Sequence, residues 1–165
     1  MPMLIKDGVI VEDDFVLLQP DDSGLTLPAG NVLVTLATWQ QYKAQLLAHA
    51  GRKGVQLEPA DDAEALAEDN ASLDLVAINF PAFADGRGYS QAFLLRRRYG
   101  FKGELRAVGD VLKDTLFYQQ RCGFNSFAVR ADKDIEKALP GLRDFSEVYQ
   151  TSADQPRALF YRRLS

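Results

Sequence analysis

An α/β fold is predicted: about five βα repeats forming a parallel sheet, with an N-terminal β-hairpin before them and a short C-terminal antiparallel extension after them. Three observations carry the prediction. Short apolar, β-branched runs recur from residue 31 to residue 130, and a segment of helical periodicity follows each. Gly, Asn and Asp stand between these units, where the chain must turn. Three runs also carry one polar residue between apolar neighbours: Thr35 in NVLVTL, Gln56 in GVQLE and Arg106 in ELRAV. Side chains alternate along a strand, so these three point away from the apolar set. A half-barrel with helices mainly on one side and an open doubly wound sheet both satisfy these observations. An eight-fold (β/α) barrel needs about 250 residues, more than the 165 present.

The elements follow in order. Residues 1–30 read as hairpin and loop, with strands at 9–11 and 15–19 split by EDD and a turn-rich stretch from Pro20 to Gly30. Residues 31–144 hold the repeats. Strand 31–36 leads into a helix over 39–50, and strand 54–58 into a helix opening at Asp61. There Asp61 and Asp62 suit a helix N-terminus, and Glu64 completes a capping box with Asp61. Strand 73–80 precedes a helix over 89–99 that Gly100 and Gly103 bracket. Strand 104–108 precedes a helix over 112–122, with Gly123 as its C′ residue. Strand 126–130 precedes a helix over 135–139 that Pro140 ends. Residues 145–165 read as two antiparallel strands, 145–150 and 157–164. The whole chain is expected to form a single domain.

Net charge is −4, which argues against nucleic acid as a partner. The distribution is uneven. Residues 57–74 carry seven carboxylates and no Lys or Arg, whereas Arg87, Arg96, Arg97, Arg98, Lys102, Arg106, Lys113 and Arg121 dominate 85–121. Such a split reads either as solvated helix faces or as a docking face for an acidic partner or an anion. No apolar run reaches eighteen residues and no basic-then-apolar leader opens the chain, so neither a membrane span nor a signal peptide is expected. The single cysteine, Cys122, permits no internal disulfide and points to the cytoplasm. With one histidine, His49, and one cysteine, no tetrahedral zinc site or protein-ligated iron–sulfur cluster is expected, and the metal expectation is none.

One loop stands out. FADGRGYSQA (83–92) joins the third repeat's strand to its helix, at the strand end where α/β sheets bind ligands. Gly86 and Gly88 allow close backbone approach, the amides of Gly88, Tyr89 and Ser90 would open a helix, and Arg87 offers a planar fork of donors for an oxyanion. Arg106, on the polar face, would add a second charge. Asp85 and Asp110 end neighbouring strands and are the candidate acid–base pair. The competing reading is a plain strand-to-helix turn in which Asp85 caps the helix and Arg87 pairs with a carboxylate. Gly86-Arg87-Gly88 echoes a dinucleotide fingerprint, but Gln91 stands at its third glycine position. No cofactor is identified.

Residues 83–124 contain DGRGYS, GELRAVGDVL and RCGF in that order. The block resembles the core signature of a bacterial domain-of-unknown-function family. Its members are encoded beside assimilatory sulfite reductase and often carry the label oxidoreductase. The resemblance implies a role in sulfur assimilation, with sulfite reductase or another sulfur-assimilation protein as partner. It brings no catalytic residues. No flavin, haem or nicotinamide motif is visible, so redox chemistry would need a borrowed cofactor. The expectation is an accessory protein of sulfite reduction that sees an oxyanion at the strand ends. The alternative is a small enzyme or sensor for a metabolite bearing a phosphate or sulfur oxyanion.

Overall fold

The structure, a computed structural model, describes residues 2–82 and 84–143. The expected strands over 145–150 and 157–164 lie outside the described residues, as does Phe83 of the loop. The elements in chain order are β1 (Met3–Lys6), β2 (Val9–Glu12), β3 (Phe15–Leu17), β4 (Asn31–Thr35), α1 (Leu36–Gln41), α2 (Lys43–Leu47), β5 (Lys53–Leu57), β6 (Leu75–Phe80), α3 (Arg87–Phe93), β7 (Glu104–Gly109), α4 (Lys113–Arg121), β8 (Ser126–Phe127) and α5 (Ile135–Ala138). They build one eight-stranded sheet of order β2-β1-β8-β7-β6-β5-β4-β3. Strands β3 to β8 run parallel; β1 pairs antiparallel with β8, and β2 with β1.

The connectivity forces the sheet to curl. β2 and β3 are its two outermost strands, yet only Asp13 and Asp14 join them. Seven flat strand spacings would separate the edges by about 34 Å. Three Cα steps reach about 11 Å. The sheet therefore bends into a curled half-barrel whose edges approach each other, and the open-sheet alternative falls away.

The two faces differ as the alternation predicts. Val32, Val34, Val55, Leu57, Val76, Ile78, Leu105 and Ala107 point outward into the main core. There Trp39, Leu46, Leu66, Leu95 and Leu116 cover them. The concave face is filled by a small apolar set, Phe15, Leu33, Leu75 and Ala77, and by polar residues that include Thr35, Gln56 and Arg106.

Several elements depart from expectation. The hairpin exists, but its strands are β1 and β2, joined by Asp7-Gly8 with φ of 51° and 81°. Positive φ at both turn residues is what a type I′ two-residue hairpin loop demands. Phe15–Leu17 instead lies beside β4 at the far edge. The helix over 39–50 starts earlier, capped by Thr35, and breaks at Tyr42. Between Asp61 and β6 there is no α-helix but two 3₁₀ turns, Ala63–Leu66 and Asn70–Ser72. Asp62 caps the first through the Glu64 amide, while Asp61 accepts from the Glu58 amide. The strand over 126–130 shortens to Ser126–Phe127.

Candidate functional site

α3 opens at Arg87, and its first turn sits on β6. The N-cap is Gly86, without a side-chain cap; Asp85, one residue earlier, accepts from the Arg87 amide through Oδ1 at 3.0 Å. The same carboxylate takes the Arg87 guanidinium, Nε at 3.1 Å and Nη2 at 2.8 Å. Hydrogen bonds from Arg87 hold the Asp85 carboxyl below its ordinary range, and Asp85 in turn raises Arg87. The fork that would have met an oxyanion is thus directed at its own loop, with its side chain 62% exposed. Exposed ion pairs add little to stability. Arg87→Ala is therefore expected to leave the urea unfolding midpoint unchanged, and a clear drop would mean that the pair holds the loop in place.

The two glycines play different parts. Gly86 is exposed, and a Cβ there would meet nothing within 4 Å. Gly88 is buried, and a Cβ there would lie 2.7 Å from the Phe80 ring and 2.9 Å from Ile78 Cγ2. Its bareness serves close packing of α3 on β6. Tyr89 leans on Phe80, with ring centroids 5.0 Å apart, and meets Tyr118 of α4 edge-on at 4.9 Å. Burial, with Cys122 and Tyr118 nearby, raises its phenol above the usual range. Ser90 is exposed beside it.

Asp110 and Asp85 belong to different arginines. Asp110 Oδ1 accepts from Arg130 Nη1 at 2.7 Å, and Arg130 also grips Asp132 at 2.6 Å. Hydrogen bonds to Asp132 and then Asp110 raise the Arg130 guanidinium.

Arg106 is separate again. It pairs in register with Ala77 and Ser126, three residues before the end of β7 and so about 10 Å below the strand tips. It points into the concavity and is 3% exposed. Glu104 Oε2 accepts from its Nε at 3.0 Å and its Nη2 at 2.7 Å. Asp13 accepts from Nη1 at 3.0 Å. Ser126 Oγ lies 3.3 Å from Nε, and Lys6 closes on Glu104 at 3.2 Å. Burial pushes Glu104 up, but Arg106, Ser126 and Lys6 outweigh it, and the carboxyl sits below its ordinary range. Arg106 is therefore the centre of a buried network that ties β7, β8, β1 and the β2–β3 link together.

The inner-face alternation also places two residues that the sequence reading did not single out. Glu58 Oε1 accepts from Asn79 Nδ2 at 2.8 Å, and Oε2 from Gln56 Nε2 at 3.1 Å. Buried Gln91 ties the Glu58 and Asp61 carbonyls to α3 through its Nε2. Their signal was the polar residue at the C-terminal end of GVQLE and of LVAINF. Among the described residues no three His, Cys, Asp or Glu side chains gather as a metal site.

A groove of about 490 Å³ lies between α3 and α4, lined by Tyr89, Ser90, Phe93, Leu94, Tyr118 and Cys122. Phe93 and Tyr118 are 43% and 49% exposed. After α3 the chain makes a π-helical turn, Leu94–Arg98. This turn separates the three arginines. Arg96 turns inward to the carbonyls of Gly123, Phe101 and Gly103. Arg97 and Arg98 stay exposed, over Phe93 at 5.9 Å and Tyr99 at 5.8 Å.

A family model described as a bacterial protein of unknown function, DUF934, matches residues 54–160. No curated protein matches the chain. No helix among the described residues is long and apolar enough to cross a membrane.

Proposed function

The chain belongs to the DUF934 family, and from that premise we propose that it is a non-catalytic accessory protein that docks on a larger partner. One observation carries the reading: the α3–α4 groove presents exposed Phe93 and Tyr118, with exposed Arg97 over the Phe93 ring and exposed Arg98 next in the chain. Neither arginine forms an ion pair among the described residues. Aromatic anchors ringed by arginine are the residues that dominate protein–protein affinity. The partner surface they fit is apolar and acidic.

The partner proposed is assimilatory sulfite reductase or another cytoplasmic protein of sulfur assimilation. What supports it is the resemblance carried by DGRGYS, GELRAVGDVL and RCGF. Co-purification with the reductase is expected at low ionic strength and should weaken above about 0.3 M salt as the arginines are screened. Phe93→Ala should weaken it about tenfold or more. Arg97→Glu with Arg98→Glu should slow association and flatten the salt dependence. Failure to associate at low salt would end the reading.

The alternative, an enzyme or sensor that takes an oxyanion at residues 86–90 with Arg106, requires an anion to displace Asp85 from Arg87 and Glu104 from Arg106. An oxyanion-induced thermal shift that Arg87→Ala abolishes would put that alternative first.

A further inference from the structure

The C-terminal ends of β7 and β8 hold a second opening, on the side of the fold where parallel α/β sheets bind ligands. β7 ends at Gly109, and α4 starts at Lys113; after β8 a short loop leads to Asp134, the N-cap of α5. Between the two helix starts is a cavity of about 310 Å³. Lys113, Lys133 and Lys137 all line it. We propose that this cavity binds a small organic oxyanion, a phosphate or sulfate ester.

The first argument is charge. None of the three lysines forms an ion pair among the described residues. Lys133 precedes the Asp134 N-cap of α5, and Lys137 lies in the last turn of that helix. Asp114 and Asp134 also line the cavity, but neither reaches a lysine within ion-pair distance, and Asp134 Oδ1 already accepts from the Glu136 amide at 2.9 Å. Three lysines against two aspartates make the lining net positive. Lysine meets an oxyanion as a point charge and needs no fixed fork.

The second argument is preorganisation. Arg130, clamped between Asp110 and Asp132, donates its amide to the Val111 carbonyl and accepts the Lys133 amide at 3.0 Å. Gly141 backs directly onto Lys113, so closely that a Cβ would lie 2.5 Å from the Lys113 carbonyl oxygen. The backbones that carry Lys133 and Lys113 are thus fixed by the fold. The clamp also gives Asp110 and Arg130 a use that the loop reading did not supply.

The third argument is shape. The volume falls at the lower end of small-molecule sites. Leu112, Ala138 and the lysine stems give it an apolar floor. An anion with a small carbon body fits that lining better than a bare ion does.

The test titrates ¹⁵N-labelled protein with phenyl phosphate, phenyl sulfate and inorganic phosphate. Saturable shifts are expected at amides 112–114 and 133–138. Lys133→Ala with Lys137→Ala should raise the Kd for phenyl phosphate about tenfold, and the Lys53→Ala, Lys102→Ala pair, of equal charge change, should leave it within about twofold. Lys133→Arg with Lys137→Arg should retain binding. Preference for the phosphate ester would identify a dianion ligand, and equal binding of both esters a monoanion; either supports the site. Equal losses in the two alanine pairs, or no saturable response to any probe up to about 10 mM, would overturn it.

Discussion

Arg106→Ala is expected to lower the unfolding free energy by about 3–5 kcal/mol, the cost of removing one partner from a buried ion pair. The Arg106 side chain is only 4% exposed, as is that of Glu104, so water cannot replace the lost bonds. Asp13, Glu104 and Lys6 would be left around an empty centre, and the β2–β3 link would lose its tie to β7. Urea unfolding at pH 7 measures the loss. Arg106→Met combined with Glu104→Leu should recover much of it, because an apolar pair of similar size is often no worse than the ions it replaces. The Glu104 contribution has a definite pH sign. Its folded pKa lies below the ordinary 4.5, so the stabilisation is complete above that value and is lost as pH falls through the folded pKa. Glu104→Gln should remove this acid limb while already being destabilised at pH 7. A loss under about 1 kcal/mol in Arg106→Ala, together with a lost anion response, would return Arg106 to the role of a ligand group.

This network shows what the residues could and could not disclose. Alternation put Thr35, Gln56 and Arg106 on one face of the sheet, because a strand has only two faces. It could not say that the face would curl inward and that Arg106 would meet Asp13 across the concavity. That contact depends on β2 and β3 lying at opposite ends of the strand order, a non-local fact. MLIK was passed over although Asp7-Gly8 after it is a strong hairpin signal. The helix expected from Asp61 rested on Asp61 and Asp62 as N-terminal residues and on the capping box with Glu64. Tertiary bonds prevail there: Trp39 Nε1 donates to Asp69 at 3.0 Å, and Asn70 donates to the Tyr99 carbonyl. Those anchors draw residues 69 and 70 toward two different elements. Arg96, Arg97 and Arg98 look alike as a run, yet Arg96 turns inward to backbone carbonyls while the other two stay exposed.

The DGRG loop can be settled by its glycines. Gly88→Ala is expected to cost about 1–3 kcal/mol, because the new methyl would overlap the Phe80 ring and Ile78 Cγ2, both of them buried in the core. Gly86→Ala should cost nothing and should stabilise by about 0.4–1 kcal/mol. Its φ is −89°, and the site is open, so alanine loses only unfolded-chain entropy. A backbone cradle for an anion makes a different forecast. There Gly86→Ala would impair binding at unchanged stability, since a methyl beside Arg87 would stand where the ligand must approach. Urea unfolding of the two variants, paired with a phosphate and sulfite thermal-shift series on each, separates the cases. If Gly88→Ala is as stable as the parent, the packing account of that glycine fails. If Gly86→Ala retains every ligand response, the loop is a turn that docks α3 on β6, and the search for bound anions moves to the lysines between α4 and α5.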